Sequence, residues 1–158
     1  MSRLDSLACA AVAVVLLVCA GPARAEDKEV PYWASLTADK VNLRVGPARD
    51  YRISWLYVRK GLPVKVVRLH EGWRLVEDPE GTQGWVLSRF LSRKRGALVK
   101  GGIAEMRERA GGGGRLLWRL EPGVVGQLGK CDAGWCKLEV QGRLGYVPAD
   151  KLWGGGEP

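Results

Sequence analysis

Cys131 and Cys136 are the residues best placed to do chemistry in this chain. They flank Asp132-Ala133-Gly134-Trp135, and a turn of that length between two paired strands sets the cysteines opposite each other. Facing Cα atoms in a non-hydrogen-bonded antiparallel pair lie ~4.5 Å apart, within disulfide reach. A structural disulfide is expected, with a redox-active thiol pair as the weaker alternative. Zinc would need more ligands than this pair supplies. His70 is the single histidine and lies far from both cysteines in sequence. No metal and no cofactor are expected.

Other catalytic patterns are missing. A cysteine nucleophile needs a base beside it, and both cysteines are expected to be taken up by the disulfide. The chain has no G-x-S-x-G elbow. Gly111 to Gly114 is not followed by Lys-Ser/Thr, so it is not a phosphate loop. Aspartates and glutamates are scattered over turn-like segments. The expectation is a protein that is not an enzyme, with no catalytic residues.

The elements that carry these residues read as β. Val41, Leu43 and Val45 alternate with Asn42 and Arg44, and Val64 and Val66 alternate about Lys65. Asp78-Pro79-Glu80-Gly81 is a turn sequence. Short alternating runs at roughly ten-residue spacing point to small sandwiches or barrels. Seven tryptophans against one phenylalanine, with 22 glycines, fit that reading.

The pattern occurs twice. Gly61 recurs as Gly123, Gly72-Trp73 as Gly134-Trp135, and Val76 as Leu138. Gly84-Trp85-Val86 recurs as Gly145-Tyr146-Val147, Leu91 as Leu152, Leu43-Arg44 as Met106-Arg107, and Leu56 as Trp118. Fixed-period self-similarity marks a duplicated unit. The copies are expected at 37–92 and 101–153, with 93–100 as a linker. Arg89, Arg93, Lys94, Arg95 and Lys100 cross that junction. A solvated linker is the plain reading, and contact with anionic envelope polymer or lipid headgroups the sharper one.

The N-terminus reads as a signal peptide. Ala8 to Ala20 is apolar, Gly21-Pro22 breaks it, and Ala23-Arg24-Ala25 gives a cleavage site. An uncleaved anchor or a lipoprotein signal at Cys19 are the alternatives. Cleavage after Ala25 removes Cys9 and Cys19 and leaves 23 basic and 16 acidic residues, a net +7. A periplasmic or secreted protein is expected, soluble once processed, and with no nucleic-acid partner despite its charge.

The string Val41-Asn42-Leu43-Arg44-Val45-Gly46-Pro47 resembles the opening of bacterial SH3 domains. Gly61, Val64-x-Val66, Gly72-Trp73 and Gly84-Trp85-Val86 follow in that family's order. The second copy departs: Glu105-Met106-Arg107 replaces Asn-Leu-Arg, and the Gly111 to Gly114 run replaces the Gly-Pro loop. The resemblance implies an all-β chain of two tandem SH3-like barrels. It implies structural roles for Asn42, Gly46, Pro47, Gly72, Gly84 and Trp85. It also implies a groove for extended peptides lined by aromatics, with Tyr51, Tyr57 and Trp73 as its candidates and Arg44 as a possible contacting cation. The other reading of Arg44 is a side chain that pins the first loop through carbonyl oxygens. Trp55 and Trp85 read as structural. The implied ligand is a peptidoglycan-type peptide, recognised by an envelope adaptor. A partner envelope protein without wall affinity is the alternative. The ligand's identity and the oligomeric state are not legible.

Overall fold

Among the described residues, fourteen strands form two seven-stranded antiparallel sheets of identical topology. The computed structural model describes residues 30–158, so the signal-peptide reading of 1–25, Cys9 and Cys19 lie outside the described residues. The first sheet contains β1 (Tyr32–Leu36), β2 (Val41–Arg44), β3 (Ile53–Tyr57), β4 (Pro63–His70), β5 (Trp73–Glu77), β6 (Gln83–Leu87) and β7 (Leu91–Ser92). The second repeats it with β8 (Gly96–Val99), β9 (Ala104–Arg107), β10 (Leu116–Leu120), β11 (Val125–Asp132), β12 (Trp135–Val140), β13 (Arg143–Pro148) and β14 (Leu152–Trp153). The orders are β3-β2-β6-β5-β4-β1-β7 and β10-β9-β13-β12-β11-β8-β14.

Alternation decides the faces. Val41, Leu43, Val64, Val66, Val76 and Val86 are fully buried in one core. Met106, Leu138, Val147 and Val99 occupy the other. Each such side chain contributes about 1.5–3 kcal/mol by leaving water. Gly84 and Gly145 explain a repeated motif: a Cβ at either would lie 2.4 Å from a core atom, Leu43 Cγ in one copy and Met106 Cγ in the other. The glycine lets the leading core side chain of each barrel pass beneath β6 or β13.

The segment 93–100 is not a plain linker. Gly96–Val99 is β8, which pairs with β11 and β14 as β1 pairs with β4 and β7. The first strand of each copy therefore lies upstream of the point where sequence similarity begins. The two strands share only a short buried Ala-x-apolar pattern, Ala34 and Leu36 in β1 and Ala97 and Val99 in β8, too little to extend the repeat by sequence. The basic run is also engaged: Arg95 donates to Gly154 O (2.5 Å) and Gly156 O (2.8 Å), and the Arg93 guanidinium stacks 3.5 Å from the Tyr32 ring centroid.

The copies touch each other. Trp33 and Trp153 meet edge to face at 5.0 Å, and Trp33 Nε1 donates to Gly156 O (2.8 Å). Arg59 donates to Gly123 O across the same boundary, and Ser35 Oγ donates to Lys94 O in the segment that joins the copies.

Candidate functional site

Residues directly opposed in an antiparallel pair share a face. Arg44 opposes Trp85, Trp85 opposes Leu75, and Trp73 opposes Leu87. The outer face of β2, β6 and β5 therefore carries Asn42, Arg44, Trp85, Leu87 and Trp73. Trp73 and Trp85 are both buried but lie outside the barrel core. They form a second apolar layer on the sheet's outer face. Arg68 sits 5.0 Å from the Trp85 centroid, and His70 meets the same ring edge-on at 6.1 Å.

Two cavities open over this layer. One, of about 570 Å³, is lined by Val45, Gly46, Pro47, Tyr51, His70 and Trp85, among others. The other, of about 230 Å³, has Trp73, Leu87 and Phe90 as its apolar lining and Lys40, Asn42, Arg44, Arg49 and Arg89 as its polar one. Arg44 Nη1 donates to Tyr51 O at 2.6 Å, so the loop 45–52 is tied to the strand that carries Arg44. This is the carbonyl-pinning role. The second copy repeats it across its own eight-residue loop, with Arg107 Nη1 donating to Gly114 O at 3.5 Å. The divergent loop therefore keeps both its length and its anchor.

The groove candidates separate. Tyr51 is half exposed and walls the larger cavity. Trp73 supplies lining for the smaller one but is only 8% exposed. Tyr57 is not in a groove. It is 6% exposed in the core, where its hydroxyl donates to Asp78 Oδ2 at 3.0 Å. Burial, and then the Asp78 charge, push the phenol well above the usual tyrosine range. Asp78 Oδ1 accepts from Glu80 N and Thr82 N, so the same carboxylate organises the 78–81 turn. Tyr57 ends an otherwise exposed strand, and nothing in the sequence distinguishes it from its neighbours.

Trp55 departs from expectation in the opposite direction. It is 61% exposed rather than structural. Its register partner is Leu43, and Trp118 pairs with Met106, so Trp55 and not Leu56 is the equivalent of Trp118. Both tryptophans stand on edge strands. Ile53 and Leu56 on the same strand, and Val58 just after it, are also exposed.

Cys131 and Cys136 are paired in register and joined by a disulfide, with Cα atoms 4.0 Å apart. Leu69 and Arg74 are the corresponding pair in the first copy. Ala133 (φ 45°) and Gly134 (φ 77°) form the intervening two-residue turn, a left-handed conformation favoured in hairpins. Among the described residues no group of three or more His, Cys, Asp or Glu side chains could hold a metal ion.

Two antiparallel barrels of one topology, each opening on an Arg-anchored loop, define a tandem SH3-like protein. The bacterial SH3 domain family matches residues 37–93 and again 100–154, and the chain belongs to that family. It is 24% identical over 134 residues to YrvJ of Bacillus subtilis (strain 168), a protein named as an N-acetylmuramoyl-L-alanine amidase. That match covers 78% of this chain and 26% of YrvJ, so the chain spans about a quarter of its relative. Among solved structures, NlpC2 from Trichomonas vaginalis is similar at 12% identity and a TM-score of 0.35, over 78% of this chain and 48% of that one. An NlpC/P60 family protein from Bacillus cereus ATCC 10987 is similar at 12% identity and a TM-score of 0.35, over 77% and 56%.

Proposed function

We propose that the chain is an exported, non-catalytic binding module of the cell envelope that recognises a peptidoglycan-type peptide through its first copy. The outer face of β2, β6 and β5 carries this reading. It joins a tryptophan-backed cavity, an exposed tyrosine wall and an anchored loop, the mixture of apolar area and few polar groups that binding sites use. Membership of the bacterial SH3 family and similarity to a part of YrvJ support the wall as the setting. The experiment is co-sedimentation with purified peptidoglycan at moderate salt. The chain should pellet with the wall, and Tyr51→Ala should release it while leaving the protein folded. Failure of the wild-type protein to pellet sinks wall recognition.

A second reading has its own observation. Ile53, Trp55 and Leu56 are exposed on the edge strand β3, and exposed Val58 follows it. Edges with apolar side chains suit strand addition by a partner protein. In that case the chain is an interaction partner of an envelope protein without wall affinity. Trp55→Ala would then weaken partner binding, and Tyr51→Ala would not.

A further inference from the structure

The two copies differ in charge around the smaller cavity. In the first copy Lys40, Arg44, Arg49 and Arg89 line it together with Asn42, and no carboxylate does. Strand register and equal loop lengths place Ile103, Arg107, Gly112 and Asp150 at the corresponding cationic positions of the second copy, and Glu105 at that of Asn42. Glu105 takes its arginine at once: Arg107 Nη2 and Glu105 Oε2 are 2.6 Å apart. The fold therefore does not need four cations here, because the same fold stands without three of them. Among the described residues, none of the four makes a salt bridge.

Four cations around one small cavity repel one another and attract an anion. Trp73, Leu87 and Phe90 exclude water from one side, which strengthens charge-assisted hydrogen bonds formed there. A volume of about 230 Å³ holds an acidic group together with a short apolar stem. Arg44 is held in place by its bond to Tyr51 O, which leaves other donors of its planar fork to face a ligand. We infer that this cavity is a binding site for a carboxylate or phosphate group borne on a small apolar stem, and that the second copy has lost it through Glu105 and Asp150. The inference rests on the cavity and does not require wall affinity.

The test is a chemical-shift titration of the full chain with N-acetylalanine, its neutral amide and inorganic phosphate. N-acetylalanine should shift the Trp73 indole signal and leave that of Trp135, its equivalent in the second copy, in place. The amide should bind at least about tenfold more weakly, since it lacks the charge that strengthens the hydrogen bonds. Phosphate binding equal to that of N-acetylalanine assigns the site to any small oxyanion, whereas weaker binding assigns it to carboxylates. Asn42→Glu copies the second barrel and should abolish binding without unfolding the chain. Arg89→Asp does the same by a separate residue. Equal binding of acid and amide, undiminished binding in both variants, or no binding of any anion overturns the inference. Co-sedimentation of the same variants with peptidoglycan separates it from the wall reading: variants that bind no anion yet still pellet leave wall recognition standing.

Discussion

Tyr51 lies flat over Gly46. A Cβ built on Gly46 would stand 2.5 Å from Tyr51 Cδ1 and 2.6 Å from Tyr51 Cε1, so the ring occupies the place of a side chain. The second copy inverts the arrangement. Its equivalents are Arg109 and Gly114, and there the glycine makes room for the arginine. Each loop thus keeps one glycine and one large side chain, in opposite order. Gly46→Ala should destabilise the first copy by about 1–3 kcal/mol, the cost of overpacking. Tyr51→Ala should cancel most of that loss. A double-mutant cycle in urea measures the coupling, and simple additivity of the two changes would refute the packing argument.

The duplication, the β class and the cysteine pair were legible because each leaves a periodic trace. Glycines and core valines recur at fixed spacing, and the cysteines sit symmetrically about a turn. The first strands were not legible. Tyr32–Leu36 and Gly96–Val99 have the same place in their sheets but share only Ala34 with Ala97 and the apolar pair Leu36 and Val99, a trace too short to stand out. Exposure on β3 was also hidden. Ile53, Trp55, Leu56 and Tyr57 look alike in sequence, yet three face solvent and one is buried, because an edge strand of a small barrel covers only part of its length. The cationic cavity gathers Lys40, Arg44 and Arg49 from one strand-and-loop stretch and Arg89 from the turn after β6, and only the fold brings that fourth cation to the other three.

The disulfide closes a short loop, so its contribution comes from a small restriction of the unfolded chain. The chain-entropy relation gives about 2 kcal/mol. Cys131→Ser with Cys136→Ser should lower the stability of the protein by that amount and leave the affinity of the first copy for any ligand unchanged. Urea denaturation with and without reductant measures the first. A loss of ligand binding in the double variant would point to a functional thiol pair instead.

Tyr57 and Asp78 predict an alkaline limit. The folded-state pKa of Tyr57 lies above the value near 10 of a free tyrosine. Its protonated form is therefore favoured by folding. That stabilisation is full below about pH 10 and declines as pH rises beyond it, because the unfolded tyrosine ionises first. Tyr57→Phe should cost about 1 kcal/mol at neutral pH through the lost hydrogen bond. It should also flatten the fall in stability above pH 10 relative to the wild type. Parallel slopes for the two proteins in urea titrations between pH 8 and pH 11 would exclude this origin. The second copy has no such dependence built in, since Leu120 and Val140 stand at the equivalent positions.

Contacts between the copies predict that they unfold together. Trp33, at the start of the first sheet, packs on Trp153 at the end of the second and donates to Gly156 O. Arg95 reaches Gly154 and Gly156 from the segment that joins the barrels. Each barrel has a core of about ten buried side chains, small for independent stability. Joining them buries aromatic area that neither could bury separately. Trp33→Ala removes the ring and its hydrogen bond from a half-buried place, for an expected loss of about 2 kcal/mol. The loss should appear in both barrels, although the substitution lies in one. Native-state hydrogen exchange can read them separately, through amides of the core strands β5 and β12. Equal loss of protection in the two strands is the expected result. A loss confined to β5 would mean that the barrels fold as independent beads.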